Sequence, residues 1–257
     1  MLELRNVSKF YSGLQAVKDV SFIVPAGSIT ALIGPNGAGK STAFNLISGL
    51  EPLTSGQIFL ADRDVTSLPP DKRSTLGLGR MFQTPRIFEY LTVVENVMVG
   101  LHGSSRSGVV RSGLRLPGVR ADERRMHDSA MAGLDFVGLS QFADRMAGEL
   151  AFGGQRLLEF ARALALSPKL LLLDEPTAGL TPAETDVFAD KLRTILDRNV
   201  TVLVVEHDLR FIASIAEKII VLAHGQKIYD GAAGGIRKDA RVVEAYIGSR
   251  RERQQHA

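Results

Sequence analysis

Cysteine is absent from the 257 residues, which excludes disulfides, thiolate catalysis and cysteine-ligated metals. The chain also lacks any run of 18 or more apolar residues, the length a membrane-crossing helix needs. Its opening, Met1-Leu2-Glu3-Leu4-Arg5, is not that of a signal peptide. Internal repeats and sustained heptads are missing. Charge of one sign is scarce: 31 Lys and Arg stand against 28 Asp and Glu, a formal net charge of +3. That bias is too weak to argue for nucleic acid by itself. These absences predict a soluble, cytoplasmic protein that meets a membrane only through partners. What is present, 45% apolar and 23% charged residues, suits a folded chain with a sizeable core.

Gly34-Pro35-Asn36-Gly37-Ala38-Gly39-Lys40-Ser41 matches G-x-x-x-x-G-K-[ST] at every fixed position. The apolar run Ile29–Ile33 before it reads as a buried strand, and Thr42–Ile47 after it reads as an amphipathic helix. In that setting glycines let successive N–H groups point inward at phosphate oxygens, and the helix N-terminus adds partial positive charge. Lys40 is placed to reach β- and γ-phosphates and Ser41 to ligate Mg²⁺, so a nucleoside triphosphate with Mg²⁺ is the expected ligand.

Leu170–Leu173 is a continuous apolar run ending in Asp174-Glu175. Two acids at the end of a buried strand stand where ligands bind in open α/β sheets. Asp174 suits the metal, and Glu175, one residue further out, suits the general base for an attacking water. Thr201–Val205 is a second such run, followed by Glu206-His207, and Ile219–Leu222 a third. His207 is positioned to meet a γ-phosphate, and Gln83, after Arg80-Met81-Phe82, to touch metal or water. Tyr11 can stack on a base. Each of these three alone reads equally as a structural residue.

The expected fold class is α/β, a P-loop NTPase core of RecA-like type with an N-terminal antiparallel β-layer and an inserted α-helical subdomain. The reading is one domain over 1–257: core 1–86 and 163–248, helical part 87–162 with a basic insertion at 101–127, and a polar tail 249–257.

Taken in order, the aromatic, phosphate loop, Gln, Gly-Gly-Gln, Asp-Glu and His resemble the nucleotide-binding subunit of an ABC transporter over almost the whole chain. The resemblance implies Tyr11 as the adenine-stacking aromatic and Gly34–Ser41 with Thr42 as the phosphate cradle. It implies Ser41, Gln83 and Asp174 around Mg²⁺, Glu175 as base, and His207 with Lys40 on the transferred phosphate. Leu150-Ala151-Phe152-Gly153-Gly154-Gln155 occupies the place of the Leu-Ser-Gly-Gly-Gln signature, which in this family acts in trans on the partner's ATP. Ala151 stands for the signature Ser, Phe152 for its first Gly and Gly154 for its Gln, while Thr181 replaces the usual D-loop Asp. Implied partners are a second ATPase subunit (a copy or a different chain), two permeases and, indirectly, a periplasmic binding protein, with no nucleic acid. The coupling helix of a permease is expected near Gln83–Glu95, against Ile87, Phe88 and Leu91.

Gly13-Leu14-Gln15-Ala16-Val17, Arg80-Met81-Phe82-Gln83, the insertion and the ending Glu244-Ala245-Tyr246-Ile247-Gly248 resemble importers of branched-chain amino acids. Importers of urea or short amides, and non-transport ABC ATPases that assemble soluble complexes, remain alternatives. A nucleic-acid-linked ATPase is disfavoured by a single motif set without heptads.

Overall fold

Two kinds of apolar pattern divide the strands between two sheets. In the computed structural model, which describes residues 1–102 and 119–246, alternating strands form an antiparallel layer. β1 (Leu2–Tyr11), β2 (Leu14–Val24), β4 (Ser55–Leu60) and β5 (Arg63–Asp64) lie in the order β2-β1-β4-β5. Leu2, Leu4, Phe22, Val24, Ile58 and Leu60 turn one face of this layer inward. The continuous apolar runs supply the four inner strands of the second sheet, ordered β10-β9-β3-β8-β7-β6. Its members are β3 (Ile29–Ile33), β6 (Leu78–Met81), β7 (Leu170–Asp174), β8 (Thr201–Val205), β9 (Lys218–Ala223) and β10 (Gln226–Ala232). All pair in parallel except β10, which returns antiparallel on β9.

Because side chains alternate along a strand, the parallel sheet feeds two cores. Leu170, Leu172, Leu203 and Leu222 join the antiparallel layer and α1 (Lys40–Ser48). Leu171, Leu173, Val202 and Val204 join the helices on the other side. After α1 and α2 (Pro70–Thr75), those helices are α3 (Val93–His102), α4 (Val119–Val137), α5 (Phe152–Ala165), α6 (Pro182–Ile195) and α7 (Leu209–Ile215). Phe160 on α5 links them, its ring 6.4 Å from Phe136 and 5.0 Å from Phe188. Residues 240–246 form about two further helical turns.

The fold class matches the expectation. Two features differ from the sequence reading. The apolar run Val20–Val24 marks only the second half of β2 in the sequence; the strand begins at Leu14, because it pairs along most of β1 and the ladder satisfies its polar residues. β6 goes unread because Gly79 and Arg80 break its apolar run; pairing with β7 makes it a strand. Of the basic segment 101–127, residues 103–118 lie outside the described residues, as does the tail 249–257. Among the described residues no helix is long and apolar enough to cross a membrane.

Candidate nucleotide-binding site

The phosphate loop spans the six residues between the end of β3 and the start of α1. Gly34 (φ 153°) and Gly39 (φ 95°) take positive φ, and a Cβ at either would collide with backbone, the Leu222 carbonyl or the Ala16 carbonyl. The loop is thus packed directly on β9 and β2. Lys40 folds back over it, its Nζ donating to the carbonyls of Gly34 (2.8 Å) and Pro35 (2.9 Å). Burial pushes the Lys40 ammonium below its ordinary pKa, while Glu175 and Asp174 pull the other way. α1 has no side-chain N-cap and no acid in its first turn. Its leading N–H groups and dipole therefore face the loop uncompensated, an arrangement suited to an anion.

Asp174 closes β7 beside this cation. Burial pushes its carboxyl above the usual carboxylate range, against the pull of Arg80, whose Nη2 lies 3.4 Å away. Arg80 also donates to Asn45 Oδ1 (3.1 Å) and Ser48 Oγ (2.6 Å), tying β6 to α1. Glu175 follows in a left-handed backbone conformation, φ 45°, uncommon for a residue with a Cβ. Its N–H donates to the Val205 carbonyl at 2.9 Å, and its Oε2 accepts from Gln83 Nε2 at 2.8 Å. The structure thus gathers Lys40, Asp174, Glu175 and Gln83.

His207 lies two residues past Val205, the β8 partner of Asp174. Its ring is 71% exposed, with Nδ1 3.2 Å from Glu206 Oε2. Glu206 is buried and accepts from the Thr177 N–H and hydroxyl and from the N–H groups of His207 and Asp208. Tyr11 stands apart: its hydroxyl donates to Glu51, which accepts from Asn45 Nδ2 at 2.9 Å. Hydrogen bonds through Glu51, Asn45 and Arg80 lead from Tyr11 to Asp174, and the Tyr11 ring carries Lys9 Nζ at 5.0 Å.

The segment that stands in the signature's place opens α5. Ala151 is its N-cap without a side-chain hydrogen bond, as expected for a lost hydroxyl. Phe152 packs on Gly179, and Gly153 sits so close to the Glu184 carboxylate that a Cβ would collide with it. Gln155 Nε2 donates to the Leu150 carbonyl at 3.0 Å. Thr181, in the D-loop position, caps α6 in a reciprocal box with Glu184.

A metal is tested by its donors. Among the described residues no three His, Asp or Glu side chains converge on a cation site. One half-buried carboxylate, Asp174, with Ser41 on the first turn of α1, fits Mg²⁺, which takes one or two protein ligands beside substrate phosphates.

Sequence reading missed Arg80, Glu206 and Tyr246 as parts of the site. Burial drives the Tyr246 phenol up to about 12, against a hydrogen bond with the Gly34 backbone. A cleft of about 470 Å³ separates Pro35–Ala38 from Arg241, Glu244 and Ala245 on the same terminal helical segment. Only the buried strand before Glu206 hinted at such a role, and Tyr246 gave no signal beyond the ending already noted.

The ABC transporter family model matches residues 17–178. The chain is 39% identical over 251 residues to the high-affinity branched-chain amino acid transport ATP-binding protein BraF of Pseudomonas aeruginosa, covering 96% of this chain and 98% of that one. It is 36% identical over 249 residues to the corresponding protein LivG of Escherichia coli, with coverage of 96% and 98%. Among solved structures, the ADP conformation of an ATP-binding cassette of an ABC transporter matches with TM-score 0.84 and 31% identity, over 96% of this chain and 98% of that chain. A nucleotide-free cassette from an ABC transporter matches with TM-score 0.84, 31% identity and the same coverage.

Proposed function

The chain belongs to the ABC transporter family of ATPases, and on that premise we propose that it powers an importer of branched-chain or related hydrophobic amino acids. The observation that carries the catalytic part is the convergence of Lys40, Asp174, Glu175 and Gln83 at the phosphate loop. The near-full-length similarity to BraF and LivG supports the solute class.

ATP lies with its phosphates on Gly34–Ser41 and Thr42, with Lys40 leaving the Gly34 and Pro35 carbonyls for phosphate oxygens. Ser41 and Asp174, with Gln83, would hold Mg²⁺, which would supply neutralisation of charge on the phosphates. Glu175 orients the attacking water in line, and Gln83 holds the carboxylate in place. Glu206 grips His207 through Nδ1, so Nε2 is the atom offered to the transferred phosphate. Tyr11 stacks on the base after parting from Glu51. The signature of one subunit, Ala151–Gln155, closes on the ATP of its partner, a second ATPase subunit, and release of phosphate reopens the pair.

A permease helix docks in a groove of about 400 Å³ between β6, α3 and α5, lined by Phe82, Arg86, Phe88 and Arg162. Phe88 is 48% exposed there, whereas Ile87 packs on the core, so Phe88 is the apolar contact. Phe82, the chain neighbour of Gln83, lines the groove, so docking acts one residue from the proposed catalytic glutamine.

Affinity purification of the chain from detergent extract tests the proposal. Two permeases and a second ATPase should co-purify. Recovery of soluble partners alone would sink the importer and leave the ATPase standing.

A further inference from the structure

Arg156 and Glu159 are neighbours on one face of α5, and both are buried, at 0% and 2% exposure. Burial pushes the Glu159 carboxyl above its ordinary pKa and the Arg156 guanidinium below its own. A buried pair of this kind is weak evidence for stability, because desolvation opposes the attraction. Their hydrogen bonds point to another role. Arg156 Nη1 donates to the Phe82 carbonyl at 2.7 Å and lies 3.3 Å from Glu159 Oε2. Arg156 Nη2 donates to the Glu175 carbonyl at 2.8 Å. Glu159 Oε1 in turn accepts from the Phe82 N–H at 3.3 Å.

One fork therefore grips the main chain at Phe82, next to Gln83, and at Glu175. These are the two residues whose side chains meet at 2.8 Å. Glu175 needs such support. Its left-handed φ of 45° persists only where the surroundings fix it. The Glu175 N–H is held by Val205 and its carbonyl by Arg156. The helix that carries the fork begins at Phe152, inside the signature segment.

We infer that Arg156 and Glu159 are positioning residues for hydrolysis. They lock the backbone of Phe82, next to Gln83, and of Glu175 to α5, so that a shift of the signature end is felt at the water-orienting carboxylate of the same chain. This deepens the proposed function and rests on its assignment of Glu175 as the base.

The test uses the full-length chain purified with its partners. Arg156→Met/Glu159→Met removes both buried charges together and keeps the apolar volume. Arg156→Lys keeps the charge without the planar fork. Both should lower kcat roughly 10- to 100-fold. Affinity for a fluorescent ATP analogue should stay within about twofold, with little change in Tm. Gln83→Ala should cost less kcat in the double variant than in the wild type, because the fork acts through that contact. If the double variant fails to fold, Arg156→Lys decides.

Wild-type kcat in the folded variants overturns the inference. So does a loss of kcat matched by equal losses of nucleotide affinity and Tm, which a merely structural role would give. Glu175→Gln separates the two failures. Full turnover in that control overturns the base assignment and this inference with it. A dead control beside fully active Arg156 variants overturns the inference alone.

Discussion

Asp174, the proposed metal ligand, opposes the fold it sits in. Burial penalises its carboxylate more than Arg80 relieves it, so the folded chain holds this proton more tightly than the unfolded chain does. The resulting stabilisation is complete below the ordinary carboxylate pKa and is lost as pH rises through the raised folded value. At neutral pH the ionised group weighs against folding. Asp174→Asn, which still offers Arg80 an acceptor, should raise Tm in EDTA while lowering Mg²⁺-dependent hydrolysis at least ~100-fold. Thermal unfolding and steady-state rates on the same samples check this; a lower Tm contradicts it. Asp174 and Glu175 were legible in the sequence because a buried strand ended in two acids. The Tyr246 contact was not, since it depends on how the chain end returns to the phosphate loop. Nor was the detour of Tyr11 onto Glu51, which depends on the end of β1 lying against the segment after α1, where Lys9 bonds the Pro52 carbonyl and the Phe10 N–H the Thr54 hydroxyl.

Among the elements, α1 carries the phosphate loop at one end and depends on a buried arginine at the other. Gly49 ends the helix at φ 77°, and Arg73, 1% exposed, donates to the carbonyls of Leu46 (2.6 Å) and Ile47 (2.7 Å). It also bonds the Leu68 and Thr66 carbonyls, at 2.9 and 3.0 Å. Arg73→Ala leaves these acceptors unmet and should cost about 3 kcal/mol or more, read by urea unfolding. Arg73→Lys should recover only part of it, lacking the fork. Full stability in Arg73→Ala would show that water or neighbouring groups replace it. The helix itself was readable from its motif and apolar spacing. Its cap was not, because Arg73 is 24 residues from Gly49 and nothing local marks a buried arginine. β6 was hidden for a related reason: its strand character comes from β7, a partner 92 residues on.

At the scale of the whole molecule, the order of motifs carried the family and the fold, since each motif demands a strand end or helix start that the topology supplies. It did not carry the Arg156 fork, which exists only once α5 lies against β6 and β7. The signature proposed at Ala151–Gln155 makes a prediction about the proposed pair of ATPase subunits. Ala151→Ser gives α5 a side-chain cap, worth about 1 kcal/mol, and returns a hydroxyl toward the partner's phosphate. ATPase of the purified complex should rise several-fold; an unchanged rate would show that Gly153, the backbone and the helix dipole suffice. The central claim is that this chain hydrolyses ATP with Glu175 as base on the Lys40 loop. Hydrolysis and nucleotide binding measured together on wild type and Glu175→Gln test it most directly. The expected result is a kcat roughly 100- to 10,000-fold lower with binding retained; wild-type turnover in Glu175→Gln would contradict it.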